Sequence, residues 1–166
     1  MEPDLDRIKE MCYHLVSTEQ ISEDFKINPD GTVDVSDVTF NDPTLQKIPL
    51  CFNHVINFYC INTPAKKSNI DSLKNSPKEV CIFDCTDTAI YSLENCPKII
   101  HESFNCKFTK IENPYDLRHV LFCEVGEYFT FYSDFNVNDI ITNFLLKPKD
   151  QRKTEIFKVL EELKRA

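Results

Sequence analysis

Glycine and tryptophan are the residues that this sequence has least of. Its 166 residues include two glycines, Gly31 and Gly126, and no tryptophan. Glycine-rich loops that cradle nucleotide phosphates need several glycines close together, because the backbone itself must approach the phosphate. Two isolated glycines therefore exclude both common forms of such a loop.

Long apolar runs are also missing from the chain. No window approaches the roughly 20 consecutive apolar residues that a membrane-spanning helix needs. The first residues, MEPDLDRIKEMCYHLV, start with acids and lack the apolar run of a signal peptide. We therefore expect a cytoplasmic protein with no membrane partner, in which the eight cysteines stay reduced.

Positive charge is in short supply, with 19 basic against 27 acidic residues and a net charge of −8. Binding to nucleic acid needs a lysine and arginine footprint, so no nucleic-acid partner is expected. A short basic patch, formed by Lys147, Lys149, Arg152 and Lys153, is interpreted as a solvated turn beside a helix. An acidic chain suits a basic partner surface. An acidic DNA-mimic inhibitor is an alternative, although the basic residues are mixed among the acidic ones and no long acidic block exists.

The chain does contain a sequence motif, which we call the repeat phrase, that occurs twice between residues 73 and 106. The first copy has Leu73, Pro77, Val80, Phe83 and Cys85, and the second has Leu93, Pro97, Ile100, Phe104 and Cys106. A fixed period of this length is the signature of a stacked repeat. A degenerate earlier copy is predicted at Leu45, Pro49, Val55, Phe58 and Cys60, followed by an insertion at residues 63–69 that should form a loop.

The spacing within each copy predicts which side chains are stacked. Alternate residues of a strand point to the same face, so Phe-x-Cys places both side chains toward one core. Stacked copies then form three predicted ladders: Phe58, Phe83 and Phe104; Cys60, Cys85 and Cys106; and Ile70, Ile90 and Ile111. Neighbouring repeats bury each other's apolar faces.

The phrase Leu-x3-Pro-x2-Val-x3-Phe-x-Cys-x4-Ile-x2-Leu resembles the leucine-rich-repeat-like proteins common in tailed bacteriophages. The lead-in INPDGTVDV at residues 27–35 is also similar to their usual N-terminal segment, and the resemblance covers roughly residues 25–115. The family's glycine before phenylalanine is missing from every copy, which favours a short, irregular solenoid. The resemblance implies a phage accessory protein with an interaction surface and no catalytic residues.

The flanking segments have different patterns. An amphipathic helix is predicted over residues 4–17, and a β-hairpin over 25–40 around an Asn-Pro-Asp-Gly turn. A closing hairpin is predicted within residues 119–135, turning at 124–127, and two helices follow from Asn136. The predicted fold is α+β: a short, irregular, β-rich, leucine-rich-repeat-like solenoid with an N-terminal hairpin cap and helices at both ends. Its segments are residues 1–24, 25–135 and 136–166, within one compact domain.

The cysteines raise the question of metal or redox chemistry. Cys81-x3-Cys85, with Cys96 and Cys106 downstream, has ligand types and nearly the spacing of a zinc site. On a regular strand, however, Cys81, Phe83 and Cys85 would all point toward the core, so buried thiols are favoured and no metal or cofactor is expected. A redox thiol stays open, as does a small enzyme pairing a cysteine with one of His14, His54, His101 and His119.

If phenylalanine and cysteine face inward, the residues between and after them face outward. These candidate partner-binding residues are Tyr59, Asp84 and Asn105 on the strands, and Asp71, Tyr91 and Glu112 after the repeat isoleucines. Exposed tyrosines are favoured at interfaces. The expected function is a non-catalytic module that binds a host protein and modulates or inhibits it, the target being a defence or metabolic enzyme.

Overall fold

The repeats form a parallel β-solenoid in the computed structural model, which describes residues 2–61 and 68–166. Within these residues one sheet of seven strands runs in the order β1 to β6, with β7 also paired to β5. The strands are β1 (Lys26–Ile27), β2 (Val33–Thr39), β3 (Phe52–Tyr59), β4 (Glu79–Asp84), β5 (Ile99–Asn105), β6 (Glu124–Val125) and β7 (Thr130–Tyr132). The helices are α1 (Leu5–Ser17), a 3-10 helix (Pro114–Phe122), α2 (Asn138–Leu145) and α3 (Lys149–Arg165). This confirms the α+β class, with a solenoid of about four turns and helices at both ends.

The predicted phenylalanine ladder is confirmed. The parallel register places Phe58 opposite Phe83, and Phe83 opposite Phe104. The ring centroids of each pair are 5.0 Å apart, with interplanar angles of 2° and 28°. The cysteine and isoleucine ladders are buried beside it, at Cys60, Cys85, Cys106, Ile70, Ile90 and Ile111. These ladders are the core of the solenoid.

The strands contain a bulge that the regular alternation did not predict. Between Val80 and Phe83 there are two residues, whereas between Ile100 and Phe104 there are three, and the β4–β5 register shifts at this point. Val80 and Phe83 are both buried, although a regular strand would turn residues three apart to opposite faces. Cys81 is consequently half-exposed on the outer side. The expectation that Cys81 joins Cys85 in the core is therefore wrong.

The first part of the degenerate repeat is shifted by three residues from its predicted position. Val55, Phe58 and Cys60 are buried as expected, but the extended register places the buried Ile48, and not Leu45, opposite Leu73. Extending the β3–β4 register places Phe52 opposite Pro77, so the buried phenylalanine occupies the corner that proline fills in the other copies. Leu45 precedes Ile48 by three residues, as Ile70 precedes Leu73. The predicted insertion at 63–69 lies mostly outside the described residues.

The N-terminal predictions are confirmed. Helix α1 is capped by Asp4, whose Oδ1 accepts a hydrogen bond of 3.2 Å from the backbone N–H of Arg7. Its Cys12 and Leu15 are buried against the solenoid. Strands β1 and β2 pair antiparallel through a tight turn in which Gly31 has φ +87°, a conformation that favours glycine.

The predicted closing hairpin at 124–127 is wrong. Strands β6 and β7 do not pair with each other; both pair in parallel with β5, so together they form one broken strand of a last turn. The strand breaks at a turn in which the backbone N–H of Phe129 donates to the carbonyl of Gly126 at 3.1 Å, and beyond it Phe131 is buried against Phe104 at a centroid distance of 5.6 Å and continues the ladder. Before this strand the chain forms the 3-10 helix, and after it the two predicted C-terminal helices. Helix α3 packs against the 3-10 helix and α2.

Candidate interaction surface

One row of side chains crosses the outer face of the sheet where the parallel strands end. The register places Tyr59 opposite Asp84, Asp84 opposite Asn105, and Asn105 opposite Tyr132. Each follows a buried phenylalanine of the ladder, so all four side chains are turned outward. The structure thus brings the strand residues Tyr59, Asp84 and Asn105 together, as the sequence predicted. Tyr132 was missed because its segment was assigned to a hairpin.

Asp84 and Asn105 also have a local structural role. The Asp84 carboxylate accepts hydrogen bonds from the backbone N–H (2.9 Å) and the hydroxyl of Thr86. The amide oxygen of Asn105 accepts one from the backbone N–H of Lys107, at 3.0 Å. Hydrogen bonds that Asp and Asn side chains accept from residues just after them stabilise tight turns of the chain. The tyrosines, Tyr59 and Tyr132, are therefore the members of the row best placed to contact a partner.

The centre of the outer face is apolar. Ile56 is 42% exposed and Tyr132 is 39% exposed, while Cys81 and Ile82 are half-buried between them. Ile82 lies between Asn57 and Ser103 in the register. The spacing of the buried residues causes the exposure of Ile56, Cys81 and Ile82, because two successive residues lie between the buried residues of β3 and of β4 and have to face outward.

Carboxylates surround this apolar centre. Burial raises the pKa of the Tyr59 phenol, and the negative charges of Asp84, Asp37 and Glu102 raise it further. Burial likewise raises the pKa of the Cys81 thiol, with added contributions from Glu102 and Glu79. Both pKa shifts have the same sign because burial, and after it the negative potential, disfavours the anionic form of the phenol and of the thiol.

Hydrogen bonds between neighbouring strands hold the carboxylates in place. Asp34 accepts from the side-chain amide of Asn53 at 3.0 Å, and Asp37 accepts from that of Asn57 at 2.9 Å. Nε2 of His101 lies 2.7 Å from a carboxylate oxygen of Glu79. We define the outer sheet face by its apolar centre (Ile56, Cys81, Ile82), its two tyrosines (Tyr59, Tyr132) and its carboxylates (Asp34, Asp37, Glu79, Asp84, Glu102).

The other three predicted residues form a separate row, at the corner after the repeat isoleucines. Asp71 pairs with Lys47 at 2.8 Å, and Tyr91 is 65% exposed beside it. Tyr91 and Glu112 line a shallow depression of about 370 Å³. The six predicted residues therefore fall into two rows, one on the outer sheet face and one at this corner.

The cysteines are distributed over several positions. Cys85 and Cys106 are in the buried ladder, Cys81 is on the outer sheet face, and the sulfur of Cys96 is 3.8 Å from that of Cys123. Burial raises the pKa of the Cys106 thiol, and a hydrogen bond with Cys60 followed by burial raises that of Cys85. A raised pKa lowers the fraction of reactive thiolate, which is the form that attacks substrates and binds metal. No cluster of three metal-ligating side chains occurs within residues 2–61 and 68–166.

Comparison of this chain with protein-family models, with curated proteins and with solved structures gives no match. In the described part of the chain, no helix combines the length and apolar character needed to cross a bilayer.

Proposed function

We propose that this chain is a non-catalytic interaction module that binds another protein through the outer sheet face. The observation that carries the proposal is the combination of an apolar centre with two outward tyrosines on a single rigid sheet. Aromatic side chains on a preformed surface are favourable anchors, because little conformational entropy is lost when they bind.

The charge of the face defines the kind of partner. Its carboxylates surround the apolar centre, and the negative charges of Asp84, Asp37, Glu102 and Glu79 add to the effect of burial, which is the larger cause of the raised pKa values of Tyr59 and Cys81. A partner with apolar side chains inside a rim of lysine and arginine would be complementary to it. Such complementarity speeds association and excludes partners of like charge.

The proposed biological role is that of a phage accessory protein acting in the cytoplasm of the infected bacterium. In this role the chain would bind a host defence or metabolic enzyme and modulate or inhibit it. The support for this role is the repeat phrase and the lead-in at residues 27–35, which resemble the phage proteins. The acidity of the chain, with a net charge of −8, is in keeping with a basic target surface.

A pair of charge reversals tests the proposal. Glu102→Lys changes the outer sheet face, and Glu112→Lys makes the same change in charge at the corner row; both glutamates are exposed. Each variant and the wild-type chain are immobilised and used to capture proteins from lysates of several bacterial hosts. We expect a stoichiometric partner that the wild type and Glu112→Lys retain and Glu102→Lys loses. No partner from any host, or loss with Glu112→Lys alone, would refute the assignment to this face.

A further inference from the structure

A concave feature lies in the C-terminal part of the chain, between the 3-10 helix and α3. It has a volume of about 360 Å³. Leu121 and Phe144, both buried, form part of its apolar lining, and Phe122 and Ile156 complete that lining. Pockets that bind small organic molecules range from about 300 to 1,000 Å³ and are mostly apolar with a few polar groups. This cavity, which we call the α3 pocket, has the size and lining of a small-molecule site.

Three of the four charged side chains that line the α3 pocket are cationic. Lys149, Arg152 and Lys153 lie three and four residues apart at the start of α3, so they share one side of the helix. Glu124 is the acidic residue that lines the pocket with them. In a chain with a net charge of −8, this grouping reverses the local sign of the charge.

These cations are incompletely neutralised. Nζ of Lys149 is 3.8 Å from Glu124, and both side chains are largely exposed, so this pair is weak. Lys153 has no ion pair with any described residue. Arg152 donates from Nη1 to the neutral carbonyl of Cys123 at 3.0 Å, while its buried Nε has no partner among the described residues. Positive charge therefore remains available beside an apolar cavity.

The start of the helix adds to this charge. Helix α3 has 17 residues and begins after Pro148 without a side-chain cap. The free N–H groups of a first helical turn carry partial positive charge and favour an anion nearby. This effect acts in the same direction as the three basic side chains, and Asp150, the acidic residue in the first turn of α3, offsets part of it.

We propose that the α3 pocket binds a small organic anion, in which a carboxylate or phosphate is attached to an aromatic or branched apolar group. The anionic group contacts Lys149 and Lys153, and the apolar group packs against Phe122, Phe144 and Ile156. This inference does not depend on the outer sheet face, whose residues are different and whose charge is opposite.

The test is an isothermal titration of the full chain with 1-naphthoate and with 1-naphthyl phosphate, which separate the two anionic groups. The neutral analogue 1-naphthylmethanol measures the apolar contribution alone. We expect saturable binding, with one site per chain, of at least one anion, and weaker binding of the alcohol. The proposal would be overturned if neither anion showed saturable binding up to about 10 mM, a concentration at which binding with a millimolar dissociation constant is detected. Equal binding of the alcohol would also overturn it.

Two lysine variants on the same helix locate the site. Lys153→Gln removes a cation that lines the pocket, and Lys158→Gln removes an exposed cation from α3 that does not line it. Lys153→Gln should weaken anion binding by about two- to fivefold, because the contact between the anion and one exposed ammonium group is lost. Binding to Lys158→Gln should be unchanged. The same loss in both variants would mean that the anion responds to overall charge, and would overturn the assignment to this pocket.

Discussion

Replacement of Phe83 by alanine tests the ladder on which the solenoid depends. The ring is fully buried and lies between Phe58 and Phe104, with both centroids 5.0 Å away. Deleting a buried phenylalanine costs about 3–5 kcal/mol, through lost transfer free energy and the cavity left behind. Each aromatic contact adds about 0.5–1.5 kcal/mol, so a value near the upper end is expected. That loss is a large fraction of the free energy of unfolding of a typical domain, which is roughly 5–15 kcal/mol.

Urea unfolding followed by far-UV circular dichroism measures this loss, with Phe157→Ala as the matched control. Phe157 is 75% exposed on α3, so its removal should change the free energy of unfolding by no more than about 0.5 kcal/mol. Phe83→Leu fills most of the volume of the phenylalanine ring, so it should lower the free energy of unfolding by less. This variant keeps the test informative if the alanine variant does not fold. Similar, small losses for Phe83→Ala and Phe157→Ala would refute the ladder.

Two further predictions concern a close backbone approach and the effect of alkaline pH. A Cβ at Gly126 would lie 2.3 Å from the carbonyl oxygen of His101, so Gly126→Ala should lower the free energy of unfolding by about 1–3 kcal/mol in urea melts; a loss below about 0.5 kcal/mol would contradict this packing. Burial raises the pKa of the Cys12 thiol from 9.0 to about 11, so its contribution to stability is complete below pH 9 and is lost as the pH rises toward 11. Urea melts at pH 7.5 and 10.5 should show a smaller decrease in the free energy of unfolding for Cys12→Ala than for the wild type. Equal decreases would disprove the raised pKa of Cys12.

The ladder could be predicted from the sequence because its information is local. Phe-x-Cys fixes two inward side chains within three residues, and repetition of the phrase fixes which of them stack. The helix at residues 4–17 and the hairpin at Gly31 also follow from short-range signals, namely helical spacing, an Asp cap and a turn tetrapeptide.

The predictions that the structure contradicts concern positions at which one structural role can be filled by different residues. Proline marks the corner in the two clear copies, but Phe52 fills the same corner in the earlier copy. The outward position of Cys81 had a signal in the sequence, since Val80 and Phe83 are an odd number of residues apart and a regular strand cannot bury both. The α3 pocket had none, because it forms only when α3 packs on the 3-10 helix, and residues 147–153 by themselves look like a solvated turn.

The two ends of the sheet limit how this chain can associate with others. A parallel stack ends in strands whose free N–H and C=O groups invite another chain to add a strand or to polymerise. Here the short antiparallel β1 covers part of one edge, and on the other the backbone N–H of Phe131 donates at 3.1 Å to the Thr142 hydroxyl of α2. These contacts oppose end-to-end fibre growth and disfavour recognition by strand addition. Under the proposed function, a partner would therefore contact side chains on the faces of the solenoid, and these can vary without altering the stack.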